Sequence, residues 1–204
     1  MTLDPDLPGV RVPLDLKFKG NRTYLHGTDM LDTVLALCPA LENFSVRIQK
    51  IATRQLAAMV IGGSESPRTE MTAIVRGRIG DRDIVVGLAE TDDQVPPGRY
   101  AYDDAQVVEK AEIDVQSQTA GMPGRKDFST IEQCVALQKA LLVGCFADPA
   151  IHWYFTRLEV SRLPTEFDVL SLRLTQALGK NLVRSSVAID GTELGNIFFS
   201  GVVE

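Results

Sequence analysis

Histidine is scarce in this chain: only His26 and His152 occur among 204 residues. A histidine-rich metal site is excluded by that count. Cysteine is scarce too. Cys38, Cys134 and Cys145 are odd in number, lack metal-ligand spacing and lie among apolar neighbours, so they read as free thiols buried in a reducing compartment. No excess of positive charge appears: the net charge is −6, the isoelectric point is near 5.0 and no basic stripe stands out. That balance argues against a nucleic-acid partner. Long hydrophobic runs are absent as well, none approaching the roughly 18 residues of a membrane span. The first residues, MTLDPDLPG, lack the charged and apolar regions of a secretory signal, so a cytoplasmic protein without membrane association is expected.

What is present centres on Thr119–Phe146, a Gly/Pro loop running into a long apolar helix. Ile131, Cys134, Val135, Gln138, Leu141 and Leu142 recur at helical spacing, and Ala136, Leu137, Ala140 and Val143 widen the stripe. Ser129 with Glu132 three residues on forms a capping box, predicting a helix over 129–144, while Met122-Pro123-Gly124 upstream reads as a turn. A helix apolar over most of its girth is a buried one, which strands must cover.

In chain order, residues 1–13 read as a lead-in or tail and 14–25 as a strand broken at Gly20-Asn21. A helix follows, capped by Thr28 or Asp29, with Met30, Leu31, Val34, Leu35, Cys38 and Leu41 on its apolar face. Strands are predicted at 44–51, 55–62, 68–78 and 82–91, with Gly80-Asp81 a tight turn. Residues 92–99, DDQVPPGR, are the sharpest composition break and the candidate linker. Beyond it come a strand at 106–116, the long helix, and strands at 153–163, 166–176, 181–190 and 194–203, with turns at 179–181 and Asp190-Gly191. The order strand, helix, four strands thus occurs twice, over 1–94 and 95–204. A faint residue echo accompanies it, FSVRIQKIATRQLAAMVI over WYFTRLEVSRLPTEFDVL and TAIVRGRIGDRDIVV over NLVRSSVAIDGTELGNI. A sheet with one apolar face needs a helix to cover it, so each half reads as an α+β unit, an antiparallel sheet wrapped around one helix.

That order resembles the hot-dog fold, and two in tandem resemble a double hot dog, a fused pseudo-dimer. Met122-Pro123-Gly124 followed by Glu132 and Gln133 is similar to the loop and helix of hydroxyacyl-thioester dehydratases of fatty-acid synthesis. In that family a histidine precedes the loop, whereas Gln116-Ser117-Gln118-Thr119 stands here. The resemblance implies an acyl thioester of coenzyme A or acyl carrier protein as partner, no cofactor, and a possible homo-oligomer. It also implies that backbone N–H groups at the start of each central helix face the thioester carbonyl, where the helix dipole favours developing negative charge. The expected binding backbone is Gly27 and Thr28 in the first half, and Phe128 and Ser129 in the second.

A dehydratase needs a base for the proton beside the carbonyl and an acid for the departing hydroxyl. His26 and Glu132, facing each other between the halves, are the expected pair, with Asp29 or Asp32 as alternative carboxylates. A thioesterase needs less, since one carboxylate among Asp29, Asp32 and Glu132 can activate water or attack directly, with Gln133 or Gln138 orienting water. Arg125 and Lys126 flank the loop and are candidates for the phosphates of a coenzyme A or pantetheine arm. His152 reads as structural. The third reading, a non-catalytic binding or scaffolding module, is favoured by the shortage of titratable groups.

Overall fold

The structure is a computed structural model that describes residues 3–4, 7–62, 70–91, 96–179 and 181–203. It divides into two compact units, Met1–Tyr102 and Asp103–Glu204. The division falls after Tyr102 rather than at the expected 94/95. The reason is local: Arg99–Tyr100 pairs in parallel with Phe18–Lys19, which ties that stretch to the first unit. Most of the predicted linker, Asp92–Val95, lies outside the described residues, as do the start of the strand predicted at 68–78 and Lys180 in the turn at 179–181.

The first unit runs β1 (Arg11–Pro13), β2 (Phe18–Lys19), α1 (Gly27–Leu37), β3 (Leu41–Ile48), β4 (Leu56–Val60), β5 (Ala73–Ile79), β6 (Arg82–Glu90) and β7 (Arg99–Tyr100). Its main sheet is antiparallel, ordered β1-β4-β6-β5-β3. Part of the expected lead-in is therefore a sheet edge. Only Phe18–Lys19 of the strand predicted over 14–25 is regular, although Leu14 and Leu16 are buried as its alternation required. Neither Thr28 nor Asp29 caps α1. His26 is the N-cap, with extended φ/ψ and no side-chain cap bond, because the hydroxyl of Thr28 and the carboxylate of Asp29 are engaged elsewhere. Met30, Leu31, Val34 and Cys38 are buried as the stripe demands, whereas Leu35, expected on it, is only half-buried.

The second unit runs α2 (Asp104–Val107), β8 (Glu112–Asp114), β9 (Thr119–Pro123), α3 (Thr130–Phe146), β10 (Ile151–Val160), β11 (Val169–Leu178), β12 (Leu182–Ile189) and β13 (Thr192–Val203). Its sheet is antiparallel, ordered β8-β9-β11-β12-β13-β10. α3 touches β8, β9, β11 and also β10 at the far end of that order, so the sheet curls around the helix. The strand predicted over 106–116 is instead a helical turn and a short strand. Asp103 accepts from the backbone N–H of Ala105 and starts the turn. Met122-Pro123 is no turn but the end of β9. Gly124 has its own reason to be glycine: a Cβ there would lie 2.1 Å from the carbonyl oxygen of Phe167.

Helix α3 starts where predicted. The side chain of Ser129 accepts from the N–H of Glu132, and the carboxylate of Glu132 accepts from the N–H of Ser129 at 2.9 Å. Ile131, Cys134, Val135, Leu141 and Leu142 are almost fully buried, but Val143, expected on the stripe, is exposed. Leu142 is fully buried, so Leu142→Ala should cost about 2–5 kcal/mol through lost transfer energy plus cavity formation. Urea denaturation measures this, and a loss under about 1 kcal/mol would mean that the side chain is not in the core. Cys134 is held in the same layer, and burial pushes its thiol up to about 12. An unfolded thiol ionises near 9.0, so the stability this confers is complete below that pH and is lost as pH rises from 9.0 towards 12.

The two units repeat an order of elements but not a strand pairing. In the first, the strand after the helix lies beside the third post-helix strand, as β3 beside β5. In the second it lies beside the fourth, as β10 beside β13. The sequence echo that laid 72–86 over 181–197 therefore joins strands with different neighbours.

Candidate functional site

The mouth of α1 holds a buried polar cluster. Pairing of β2 with β7 sets Lys19 opposite Tyr100, and the N–H of Gly20 donates to the Tyr100 carbonyl at 2.9 Å. Gly20 sits at φ +56°, with the Tyr102 carbonyl 2.9 Å from where a Cβ would stand, so the chain can turn there only as glycine. The pairing carries Lys19 into the protein, where it is fully buried. Its ammonium donates to Thr28 Oγ1 at 2.9 Å and to Asp29 Oδ1 at 3.0 Å, and lies 4.0 Å from the centre of the Tyr102 ring. A buried ammonium is tolerated only when paired and hydrogen-bonded, and the carboxylate and the ring face meet that need.

Asp29 is equally committed. Its Oδ1 accepts from Lys19 and from the Thr28 hydroxyl at 3.0 Å, and its Oδ2 accepts from the Tyr100 hydroxyl at 2.7 Å. In the first turn of α1 its negative charge also suits the positive end of the helix dipole. His26, 5% exposed, lies beside this group with Nδ1 2.8 Å from Thr28 Oγ1. The structure thus brings Lys19, Tyr100 and Tyr102 to the consecutive residues His26, Gly27, Thr28 and Asp29. Alternation over 14–18 marks Lys19 as outward-facing, so nothing local in the sequence signals its burial. The proximity of Tyr100 depends on a pairing across about 80 residues (Lys19 with Tyr100).

The mouth of α3 is built differently. Glu132 closes the capping box and Ser129 is its other half. Gln133 is a loop staple: its amide donates to the carbonyls of Arg125 and Phe128 and accepts from the N–H of Arg125. The Arg125 guanidinium lies 4.9 Å from the Phe128 ring centre and donates to the Gln106 carbonyl. Lys126 is exposed and pairs with Glu166 at 3.3 Å. Gln138 is fully buried, and neither amide atom has a hydrogen-bond partner among the described residues. Removing such an orphan amide relieves its desolvation cost, so Gln138→Met should raise stability by about 1–2 kcal/mol. A loss of stability in thermal or chemical denaturation would show that the amide is satisfied in solution.

Elsewhere on the second unit a groove of about 1120 Å³ is lined by Arg173, Arg184, Ser171 and Asn196, and none of the expected site residues borders it. Among the described residues no group of three or more His, Cys, Asp or Glu side chains could hold a metal ion. No helix there is long and apolar enough to cross a membrane.

In the second unit a long helix lies on a curled antiparallel sheet, the arrangement of the hot-dog type of fold. No family model and no curated protein matches the chain. Among solved structures it is similar to the dehydratase domain of PpsC from Mycobacterium tuberculosis in complex with C12:1-CoA, at 14% identity and a TM-score of 0.47, over 98% of this chain and 91% of that one. It is also similar to the tesB protein of Mycobacterium avium subs paratuberculosis, at 10% identity and a TM-score of 0.48, over 91% and 89%. A third likeness is to the dehydratase domain from the CurK module of curacin polyketide synthase, at 9% identity and a TM-score of 0.45, over 88% and 83%.

Proposed function

We propose that this protein is an acyl-thioester-processing enzyme of double hot-dog architecture, acting as a 3-hydroxyacyl-thioester dehydratase at the mouth of α1. The observation that carries this reading is an imidazole, His26, at the N-cap of α1, where it gives the helix no side-chain cap bond of its own. The thioester carbonyl accepts from the N–H groups of the first turn, around Gly27 and Thr28, which stabilise the oxyanion as charge develops. The imidazole removes the proton from the carbon beside that carbonyl. The electron pair of the broken C–H bond forms the C=C bond as the β C–O bond breaks, and the imidazolium returns its proton to the departing hydroxyl as water. One group so serves as base and then acid.

A thioesterase reading asks for a carboxylate able to attack or to activate water. Both oxygens of Asp29 are already bonded, to Lys19 and Thr28 on one side and Tyr100 on the other. That commitment favours the dehydratase. Glu132, whose carboxylate closes the capping box of α3, is assigned no step.

The test is incubation with 3-hydroxyacyl thioesters of coenzyme A and of pantetheine, following the ultraviolet absorbance of the conjugated product. Release of free thiol from acyl-CoA without that absorbance would replace this reading with a thioesterase. Binding without either signal would leave a non-catalytic acyl-binding module.

A further inference from the structure

We infer that Lys19, acting through Thr28, is a positioning residue that holds His26 in the tautomer with its proton on Nδ1, leaving the lone pair on Nε2. The inference follows from the hydrogen-bonding capacity of one oxygen. Thr28 Oγ1 has one hydrogen and two lone pairs, and three partners surround it: Lys19 Nζ at 2.9 Å, Asp29 Oδ1 at 3.0 Å and His26 Nδ1 at 2.8 Å. An ammonium only donates, so Lys19 occupies one lone pair. A carboxylate only accepts, so Asp29 takes the single hydrogen. One lone pair is left, and His26 meets it only by donating an Nδ1–H. With the other tautomer two acceptors would compete for one hydrogen, leaving two lone pairs opposed across a buried contact.

Lys19 enforces this assignment twice. It fills a lone pair that would otherwise let the hydroxyl rotate, and its charge keeps the Asp29 carboxylate beside Thr28. Tyr100, donating to the other carboxylate oxygen, holds Asp29 from the far side. Because the proton is pinned on Nδ1, the nitrogen left basic is Nε2, the atom that the proposed dehydration requires. The catalytic consequence rests on that proposal, but the tautomer does not. A hydrogen bond to one imidazole nitrogen fixes the tautomer and orients the ring.

Long-range ¹H–¹⁵N correlation spectra of the full chain, at a pH where the imidazole is neutral, test it directly. With two histidines, a His152→Gln variant assigns the signals. His26 should show a protonated Nδ1 and a lone-pair-bearing Nε2. Thr28→Val, which leaves the Lys19–Asp29 pair intact, should mix the tautomers, and Thr28→Ser should restore the single one. Lys19→Met should mix them as well. If dehydration is observed, Thr28→Val should lower kcat by about ten- to a hundredfold with KM little changed, and Thr28→Ser should recover most of it. A proton on Nε2 in the wild type, or a tautomer unmoved by Thr28→Val or by a folded Lys19→Met, overturns the inference. The expected tautomer in a protein that turns over no acyl thioester upholds it while removing the proposed function.

Discussion

Replacing His26 by Ala should abolish dehydration of a 3-hydroxyacyl thioester, lowering kcat by at least about 10²–10⁴-fold, the usual worth of a positioned general base. The effect should be this large because the proposed reaction uses one imidazole for both proton transfers, so no second group takes over. Folding should suffer much less. His26 supplies no side-chain cap to α1, and it hydrogen-bonds Thr28. Loss of that bond and of some packing costs about 1–2 kcal/mol. The comparison to make is kcat beside the urea midpoint for the same preparation. Activity within about threefold of wild type would remove His26 from the chemistry, whereas parallel loss of activity and fold would show that its role is structural.

Asp29→Ala should produce the largest loss of stability at the α1 mouth, about 3–5 kcal/mol, the range for stripping one partner from a buried ion pair. The two partners are not equivalent. The Lys19 side chain has no exposed surface, whereas that of Asp29 is 13% exposed and keeps Tyr100 and Thr28 if Lys19 goes. Lys19→Met should therefore be the milder change. The double variant Lys19→Met with Asp29→Leu should regain much of the loss, since an apolar pair leaves no uncompensated charge. Denaturant midpoints at constant slope measure all three. If Asp29→Ala cost less than Lys19→Met, water would be reaching the ammonium and its burial would be incomplete in solution.

α3 was legible to within two residues at its C-terminal end, because its signals are local. Ser129 and Glu132 are three apart and cap each other, and Ile131, Cys134, Val135 and Leu142 share a face by periodicity alone. α1 is legible too, but its cap is not. Thr28 and Asp29 are good capping residues by type, and only the arrival of Lys19 explains why their side chains are used otherwise. The short helix at Asp104–Val107 reads as strand in the sequence, since four residues carry too little pattern to separate the two periods.

The candidate site divides along the same line. His26, Gly27, Thr28 and Asp29 are contiguous, and their place at a helix mouth follows from the helix. Lys19, Tyr100 and Tyr102 join them only because a two-residue parallel pairing closes a loop of about 80 residues. Repetition of helix and strands was readable for a similar reason, while the differing positions of β5 and β12 in their sheets were not. Sequence by itself determined what depends on neighbours three or four residues away: helix starts, apolar faces and tight turns such as Asp190-Gly191, both at positive φ. Tertiary structure alone decided which strand lies beside which and which charge is buried against which partner. Those contacts offset a chain-closure entropy that no local pattern encodes, so a lysine that reads as surface can end fully buried in the site.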